Sequence, residues 1–504
     1  MKNLQVFLFQ QSWFHLGSLI ESILVESRKY KNIEVHFLGK GLFVYPINVH
    51  QNFCRQSRLI PAPEVVMSKF LKEQLNGSDT NFTFTYANLM RDRGKSNLLS
   101  EFIDLKSLQK VKWGDTSIGM AISSYLISLT KDSNPNLNHF QNLITNLGLT
   151  YFQIFQYLMG LNLNSSSNEI WIYNGRPFHE RTVVEFARKN DIELKYFEIG
   201  GEGFNQERWI LHEESPHDRL KHQHSIKVHC QTNPLNYPLI ESWFKKHQSS
   251  SSKAYAIKTN FGISYDMSPN TFVFFSSSDD EVAAISDSWQ SSWGNQLNCV
   301  AELMKYFELH PELSLIIRVH PNQGNKSKQD KLRWKSISSE ASNIKIYNFD
   351  SKVNSYELLA KAIGVFTFGS TIGVEAAYLR KPAALLAPAR WDQLIPHKYL
   401  QTNRQIDQWV QSTACNLSLD IEHLNECYEG SLKWAHYMNT AGKPWGKIMV
   451  KKDFRGVNVG FLGGKSLKPS AVIIALSRLV SWLHFQIREK RAAQNYWPCR
   501  GLRR

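Results

Sequence analysis

Apolar and polar positions follow two different rhythms along the first forty residues. Residues 4–9 form a short apolar run of strand length, and Leu16, Leu19, Ile20, Ile23 and Leu24 then recur at helical spacing across residues 15–28. Residues 33–38 are apolar again, so the chain opens as strand, helix, strand. Residues 45–112 carry few clear elements. From 116 to 161 the pattern is helical, broken at KDSNPN (131–136). An apolar strand EIWIYNG (169–175), a helix around 182–189 and a strand LKYFE (194–198) follow. Strands separated by helices predict a parallel sheet covered on both faces.

HQSSSSK (247–253) is the best linker candidate, and the chain stays rich in turn residues to 270. A second series then begins. TFVFFSS (271–277), LSLIIRVHP (313–321), IKIYN (344–348), GVFTFGS (364–370) and AALLAPA (383–389) read as strands. Helices are expected at 295–309, 355–362 and 371–380. The expected organisation is an N-terminal Rossmann-like lobe over 1–246, a linker over 247–270, a C-terminal Rossmann-like lobe over 271–450, and a tail over 451–504. The fold class is α/β, with two lobes facing across a cleft. No repeat of solenoid length is present.

Composition narrows the class. The chain has 504 residues, 42% hydrophobic and 20% charged, which suits a folded protein with two or three domains. No apolar run approaches the ~18 residues of a membrane span, and the N-terminus lacks the features of a signal peptide. Six cysteines without a CxxC pair argue against a zinc site and a disulfide framework. A cytoplasmic protein is expected. The net charge of +15 is uneven: residues 442–504 hold 14 Lys and Arg against two acids, so the rest carries only about +3. A basic tail on a nearly neutral body points to an anionic surface rather than to nucleic acid.

The richest chemistry lies in the second series. Phe368-Gly369-Ser370-Thr371-Ile372-Gly373-Val374-Glu375 follows a strand and opens a helix. Hydroxyls, backbone N–H groups and glycines permitting close approach suit a phosphate, and Glu375, one turn in, suits a ribose hydroxyl. A plain capping role for Ser370 or Thr371 is the competing reading. Arg318-Val319-His320-Pro321-Asn322 ends a strand, where open α/β sheets gather ligands. Proline stops the strand there, and His320 can grip a phosphate or protonate a leaving oxygen. Ser276 and Ser277 end the first strand of this lobe, with Asp279 to Glu281 read as a solvated turn. In the first lobe, Asn174-Gly175-Arg176 and Phe197-Glu198-Ile199-Gly200 also end strands. Glu198 is the candidate general base and Asp115, in Trp113-Gly114-Asp115-Thr116, the reserve. Gly460–Ser466 imitates a phosphate-binding P-loop but has the wrong glycine spacing.

The ordered set NGR, FExG, SSxDE, RxHPN and FGSTxGxEAxxxxKP resembles the capsule polysaccharide biosynthesis family over roughly residues 110–390. That resemblance implies two-lobed, GT-B-type glycosyltransferases, the capsular Kdo transferases among them. His-Pro followed by Ser-Ser/Thr is also similar to bacterial sialyltransferases, which use CMP-activated acidic sugars. Their acidic-acidic-glycine motif is replaced here by Phe197-Glu198-Ile199-Gly200. The resemblance implies a metal-independent transfer with no cofactor, from a CMP-, UDP- or GDP-linked donor to a glycan or lipid-linked acceptor. Arg318, His320, Asn322, Ser276, Ser277, Gly369, Ser370, Thr371, Gly373 and Glu375 would hold the donor. His320, Glu198 and Asp115 are the catalytic candidates, and Asn174 and Arg176 would meet the acceptor.

Residues 470–488 read as an amphipathic helix, Ile473, Leu476, Val480, Leu483 and Ile487 sharing one face. It either packs back on the lobes or lies on an anionic lipid surface at the inner membrane face. Two further functional readings stay open: a non-catalytic polysaccharide-binding or export protein, and a nucleotide-sugar 2-epimerase.

Overall fold

The structure is a computed structural model. It describes residues 1–9, 13–38, 63–87, 89, 104–200, 208–248, 267–278, 280, 283–415, 420–452 and 458–467, and in the tail only 479, 483, 486, 487 and 490. The linker core at 249–266 and nearly all of the amphipathic segment at 470–488 lie outside the described residues. Among the described residues no helix is long and apolar enough to cross a membrane.

The chain forms two compact units, each an α/β sandwich built on one large sheet, and the first also holds a small antiparallel sheet. In the first, β1 (Lys2–Leu8), β2 (Tyr30–Phe37), β3 (Asn81–Tyr86), β4 (Asn168–Tyr173) and β5 (Glu193–Ile199) are parallel in the order β3-β2-β1-β4-β5. Antiparallel β6 (Arg208–His212) extends that edge. Leu4, Val6, Leu8, Ile33, Val35 and Phe37 alternate along β1 and β2 and bury one face under the helices Trp13–Glu26 and Pro63–Leu75. That second helix and β3 lie in the stretch where the sequence pattern is weak.

The second unit has six parallel strands: β7 (Thr271–Phe275), β8 (Ser314–Arg318), β9 (Ile344–Tyr347), β10 (Gly364–Thr367), β11 (Ala383–Leu385) and β12 (Lys398–Tyr399). Their order is β12-β11-β10-β7-β8-β9. Phe272, Phe274, Leu315, Ile317 and Phe366 face one apolar layer, and Val273, Phe275, Ile316 and Val365 the other. Burial on both faces explains why these strands read as unbroken apolar runs. In both units the strand order reverses beside the first strand, at β1/β4 and at β7/β10, and such switch points open the crevice where ligands bind.

The division differs from the one expected from sequence. The first unit comprises Met1–Thr130, Asn134–His217 and Ala441–Arg504, and the second Lys131–Ser133 and Asp218–Thr440. Residues 218–246 join the second unit because the helices Arg219–Thr232 and Tyr237–Gln248 pack on the helix Ile421–Thr440. His229 Nε2 lies 2.8 Å from Thr440 Oγ1, and Phe244 stacks on Tyr378 at 3.7 Å. Residues 441–450 return to the first unit: β13 (Lys443–Pro444) pairs with β6, and Arg208 donates to the carbonyls of Ala441 and Gly442. The Glu21 carboxylate accepts from the backbone N–H of Gly446, Lys447 and Ile448. β14 (Met449–Lys452), β15 (Asn458–Leu462) and β16 (Lys465–Ser466) complete an antiparallel sheet. Gly460 lies in β15 against Trp13 and the glycines at 463 and 464 make a hairpin turn, so the P-loop look-alike is a β-hairpin.

Candidate functional site

In the second unit, the carboxyl ends of β7, β8 and β10 lie side by side, with β7 in the middle. The β8 and β10 ends are therefore two strand spacings apart, about 10 Å. Each brings one of the segments singled out from sequence.

After β8, His320 is fixed by both neighbours. Its backbone N–H donates to Ser276 Oγ (2.7 Å), and Nδ1 accepts from the Asn322 N–H (3.1 Å). Asn322 Nδ2 donates to Ser278 Oγ at 3.0 Å, closing the β7 and β8 ends into one hydrogen-bonded rim. Gln296 clasps both backbone groups of Ser277, accepting from its N–H at 2.7 Å and donating to its carbonyl at 3.1 Å. Burial, reinforced by the Lys326 and Arg318 charges, pushes His320 down to about 4. The ring is neutral at pH 7, and since Nδ1 accepts, its proton sits on Nε2. His320 is thus a neutral donor rather than a cation. Asp280, expected in a solvated turn, is buried and pairs with Lys326 and, at 3.7 Å, with Lys131. Asp279 and Glu281 lie outside the described residues.

After β10, Gly369 takes φ +80°, and a Cβ there would lie 2.8 Å from the Pro388 carbonyl, so glycine is required. Thr371 precedes the helix Ile372–Tyr378 but makes no side-chain cap, and its side chain is exposed; Ser370 Oγ stands 3.5 Å from the Ile372 N–H. The capping reading is therefore weak for Thr371. Gly373 lets the helix close onto Trp391, since a Cβ would come within 2.3 Å of the indole. His397 Nε2 meets the Gly373 carbonyl at 2.9 Å. Gly373→Ala is expected to cost about 1–3 kcal/mol of stability through overpacking, seen as a lower urea midpoint with unchanged slope.

Two residues expected on the donor side make contacts within the fold. The Arg318 guanidinium is 2% exposed and donates to the carbonyls of Asn348 (2.8 Å), Val319 (3.2 Å) and Val353 (3.4 Å) and to Ser355 Oγ (3.3 Å). It braces the 348–355 loop inside the fold instead of meeting a phosphate. Glu375 is buried and accepts from Tyr356 OH at 3.2 Å.

The first unit has its own cluster, at the ends of β4 and β5. Asn174 and Gly175 adopt φ +53° and +79°, and a Cβ on Gly175 would strike the Tyr196 ring at 2.6 Å. Asn174 Nδ2 donates to Glu198 Oε1, while its Oδ1 faces His217 Nε2 at 2.7 Å and accepts from the Arg176 N–H at 3.2 Å. Both ends of the Asn174 side chain are engaged inside the protein, so the expected acceptor contact does not come from it; Arg176 is partly exposed. Glu198 Oε2 lies 3.6 Å from His212 Nε2. Burial works to raise the Glu198 carboxyl, but bonding and charge from His212, the His217 charge and the Asn174 bond outweigh it and hold the group at about 2. His15 stacks on Tyr173 at 3.5 Å beside them, its ring kept neutral by burial.

Asp115 is not part of this cluster. It sits exposed in the turn closed by Trp113 and Thr116, and Trp113 lies under Lys189, the last residue of the helix Phe178–Lys189. That helix starts beside the β4 carboxyl end and finishes where β5 begins, so Asp115 occupies the opposite edge of the sheet from Glu198. At the start of the helix Ile118–Thr130 the acceptor is Glu185, on the Ser117 N–H at 2.6 Å.

No protein-family model matches the sequence, and no curated protein matches it. The chain is similar to solved sugar enzymes. Thermosulfurimonas dismutans KpsC, a β-Kdo 2,4 transferase, aligns at 14% identity over 50% of this chain and 80% of its own, with a TM-score of 0.33. The UDP-GlcNAc 2-epimerase of Neisseria meningitidis aligns at 11% identity over 87% and 98% of the two chains, with a TM-score of 0.31. The glycotransferase of kitacinnamycin aligns at 9% identity over 87% and 97%, with a TM-score of 0.27.

Sequence reasoning missed His15, His212, His217, Lys131 and Lys326. Lys131 takes φ +56°, and its neighbour Asp132, fully buried, pairs with Arg333 and accepts from Ser327 Oγ at 2.8 Å. A turn motif, KDSNPN, was the only signal there.

Proposed function

We propose that the chain is a glycosyltransferase of surface or capsular polysaccharide biosynthesis, moving a sugar from a nucleotide-activated donor to a glycan or glycolipid acceptor. The observation that carries this reading is the convergence at the β7/β10 switch point. A hydrogen-bonded rim of Ser276, Ser278, His320 and Asn322 stands beside the glycine-opened, hydroxyl-bearing turn at Gly369-Ser370-Thr371. Such a set suits the phosphate of a nucleotide sugar: Nε2 of His320 and the hydroxyls of Ser370 and Thr371 are donors of the kind that stabilises the charge developing on a departing phosphate. The side chain of Ser277, partly exposed on the same rim, suits the nucleoside. Arg176 in the first unit suits a polar or anionic acceptor.

Incubating the full chain with CMP-, UDP- and GDP-linked sugars, with and without oligosaccharide acceptors, tests the proposal. Acceptor-dependent nucleotide release supports it. Conversion of the donor to its 2-epimer without release would support an epimerase instead, and saturable binding with neither change would support a binding protein.

A further inference from the structure

We propose that Gln223 and Asp392 are positioning residues of the donor site: they hold the loop after β11 in the place that shapes the turn at Gly369–Gly373. The inference rests on the reading of that turn as a phosphate site, and every residue it uses belongs to the second unit. The turn leans on this loop at both of its glycines. A Cβ on Gly369 would stand 2.8 Å from the Pro388 carbonyl oxygen and 3.9 Å from the Ala389 Cα, and one on Gly373 would stand 2.3 Å from the Trp391 indole. His397, at the end of the same loop, meets the Gly373 carbonyl at 2.9 Å. Between those contacts Thr371 adds no side-chain cap. The backbone that presents the Ser370 and Thr371 hydroxyls therefore depends on where residues 388–397 lie.

The loop is in turn fastened by the helix Arg219–Thr232. Arg219 and Gln223 stand four residues apart on one face of that helix, and both reach Asp392. Asp392 Oδ1 accepts from Gln223 Nε2 at 3.0 Å, and Oδ2 accepts from Arg219 and, at 3.2 Å, from the Ala389 N–H. A carboxylate only accepts, so Gln223 must turn its NH2 to Asp392 and its oxygen the other way. That oxygen accepts from the N–H groups of Gln393 (2.5 Å) and Leu394 (2.6 Å). One buried side chain thus satisfies two backbone donors of the loop and orients the carboxylate that satisfies a third.

An apolar contact would hold a loop without the desolvation cost of a mostly buried Arg219–Asp392 pair. What the hydrogen bonds add is direction. Donors aligned on a phosphate need a supporting shell that holds them to about 0.5 Å, and the clamp fixes the backbone on which both glycines rest.

The experiment titrates CMP, UDP and GDP into the full-length chain by calorimetry, which reads affinity and stoichiometry separately. For a nucleotide that the wild type binds, Gln223→Leu and Asp392→Ala are expected to weaken affinity about 10- to 100-fold, the loss of one hydrogen bond to a charged group, with stoichiometry unchanged. Arg219→Lys, which keeps a cation beside Asp392, should lose less than either. A merely structural role would lower the fraction of chain able to bind and leave the affinity of the rest as it was. If Asp392→Ala does not fold, Gln223→Leu, which leaves the carboxylate in place, decides the matter. Wild-type affinity in the folded variants, or lost stoichiometry at wild-type affinity, overturns the positioning role and leaves the donor site standing. Binding of none of the three nucleotides by the wild type overturns both.

Discussion

Alanine in place of His320 is expected to lower sugar transfer by about 100- to 1,000-fold, the usual loss for one donor aimed at developing charge, with little change in melting temperature. In the side chain, Nδ1 accepts from the Asn322 N–H, which leaves the proton of the neutral ring on Nε2. The Ser276 bond is made by the backbone N–H and survives the substitution. Because the ring is held neutral, titrating only near pH 4, its contribution is a hydrogen bond and not a charge. His320→Gln, which keeps an N–H donor, should therefore retain more activity than His320→Ala. Steady-state nucleotide release, with kcat and donor KM measured separately, checks this, and full activity in His320→Ala would remove the residue from the site.

The second large effect concerns stability. Burial lowers His36 and His397 to about 4, and it lowers His15 and His179 to about 3. These groups are neutral in the folded chain, whereas the unfolded chain takes up protons below about 6.5. Their contribution is therefore fully present above pH 6.5 and is lost as the pH falls toward 4. For the two most buried, His36 and His397, the loss by pH 5.5 is about 1.4 kcal/mol each, or roughly 3 kcal/mol together. His36 shows why protonation is resisted: Nε2 meets Gln5 Oε1 at 2.7 Å and Nδ1 meets Tyr157 OH at 2.9 Å, so a second ring proton forces the tyrosine hydroxyl to turn. Glu198 adds almost nothing between pH 7.5 and 5.5, because both its folded value and its ordinary value lie below that range. Thermal melts at pH 7.5, 6.5 and 5.5 should show a steep decline that becomes shallower in His36→Gln. A flat profile in the wild type would contradict the expectation.

How far the sequence carries depends on burial. The strands of the second unit are legible because both faces are covered and every residue of β7 is apolar or small. β3 sits at the sheet edge with four of its six residues exposed, and β6 is a five-residue antiparallel strand, so neither stands out. The strand-end segments with Ser276, His320 and Ser370 are legible because glycine, proline and hydroxyl residues interrupt apolar runs. The roles of Arg318 and Glu375 are not. Side chains alternate along β8, and Ile316, two residues before Arg318, faces the layer with Leu358 and Leu359, so Arg318 turns the same way, toward Ser355. Strand parity, not charge, decides what that arginine meets. His217 was invisible for another reason: its place in the cluster comes from Asn174, 43 residues earlier in the chain.

The path of the backbone between the units has a practical consequence for exchanging specificities. Because the chain leaves the first unit at 217 and rejoins it at 440, with a three-residue excursion at 131–133, a hybrid made by one genetic crossover in the 249–266 region would import a foreign partner for Glu21. Grafting the rear unit of another protein onto this one calls for two crossovers, near 217 and near 440, and for a matched tripeptide at 131–133.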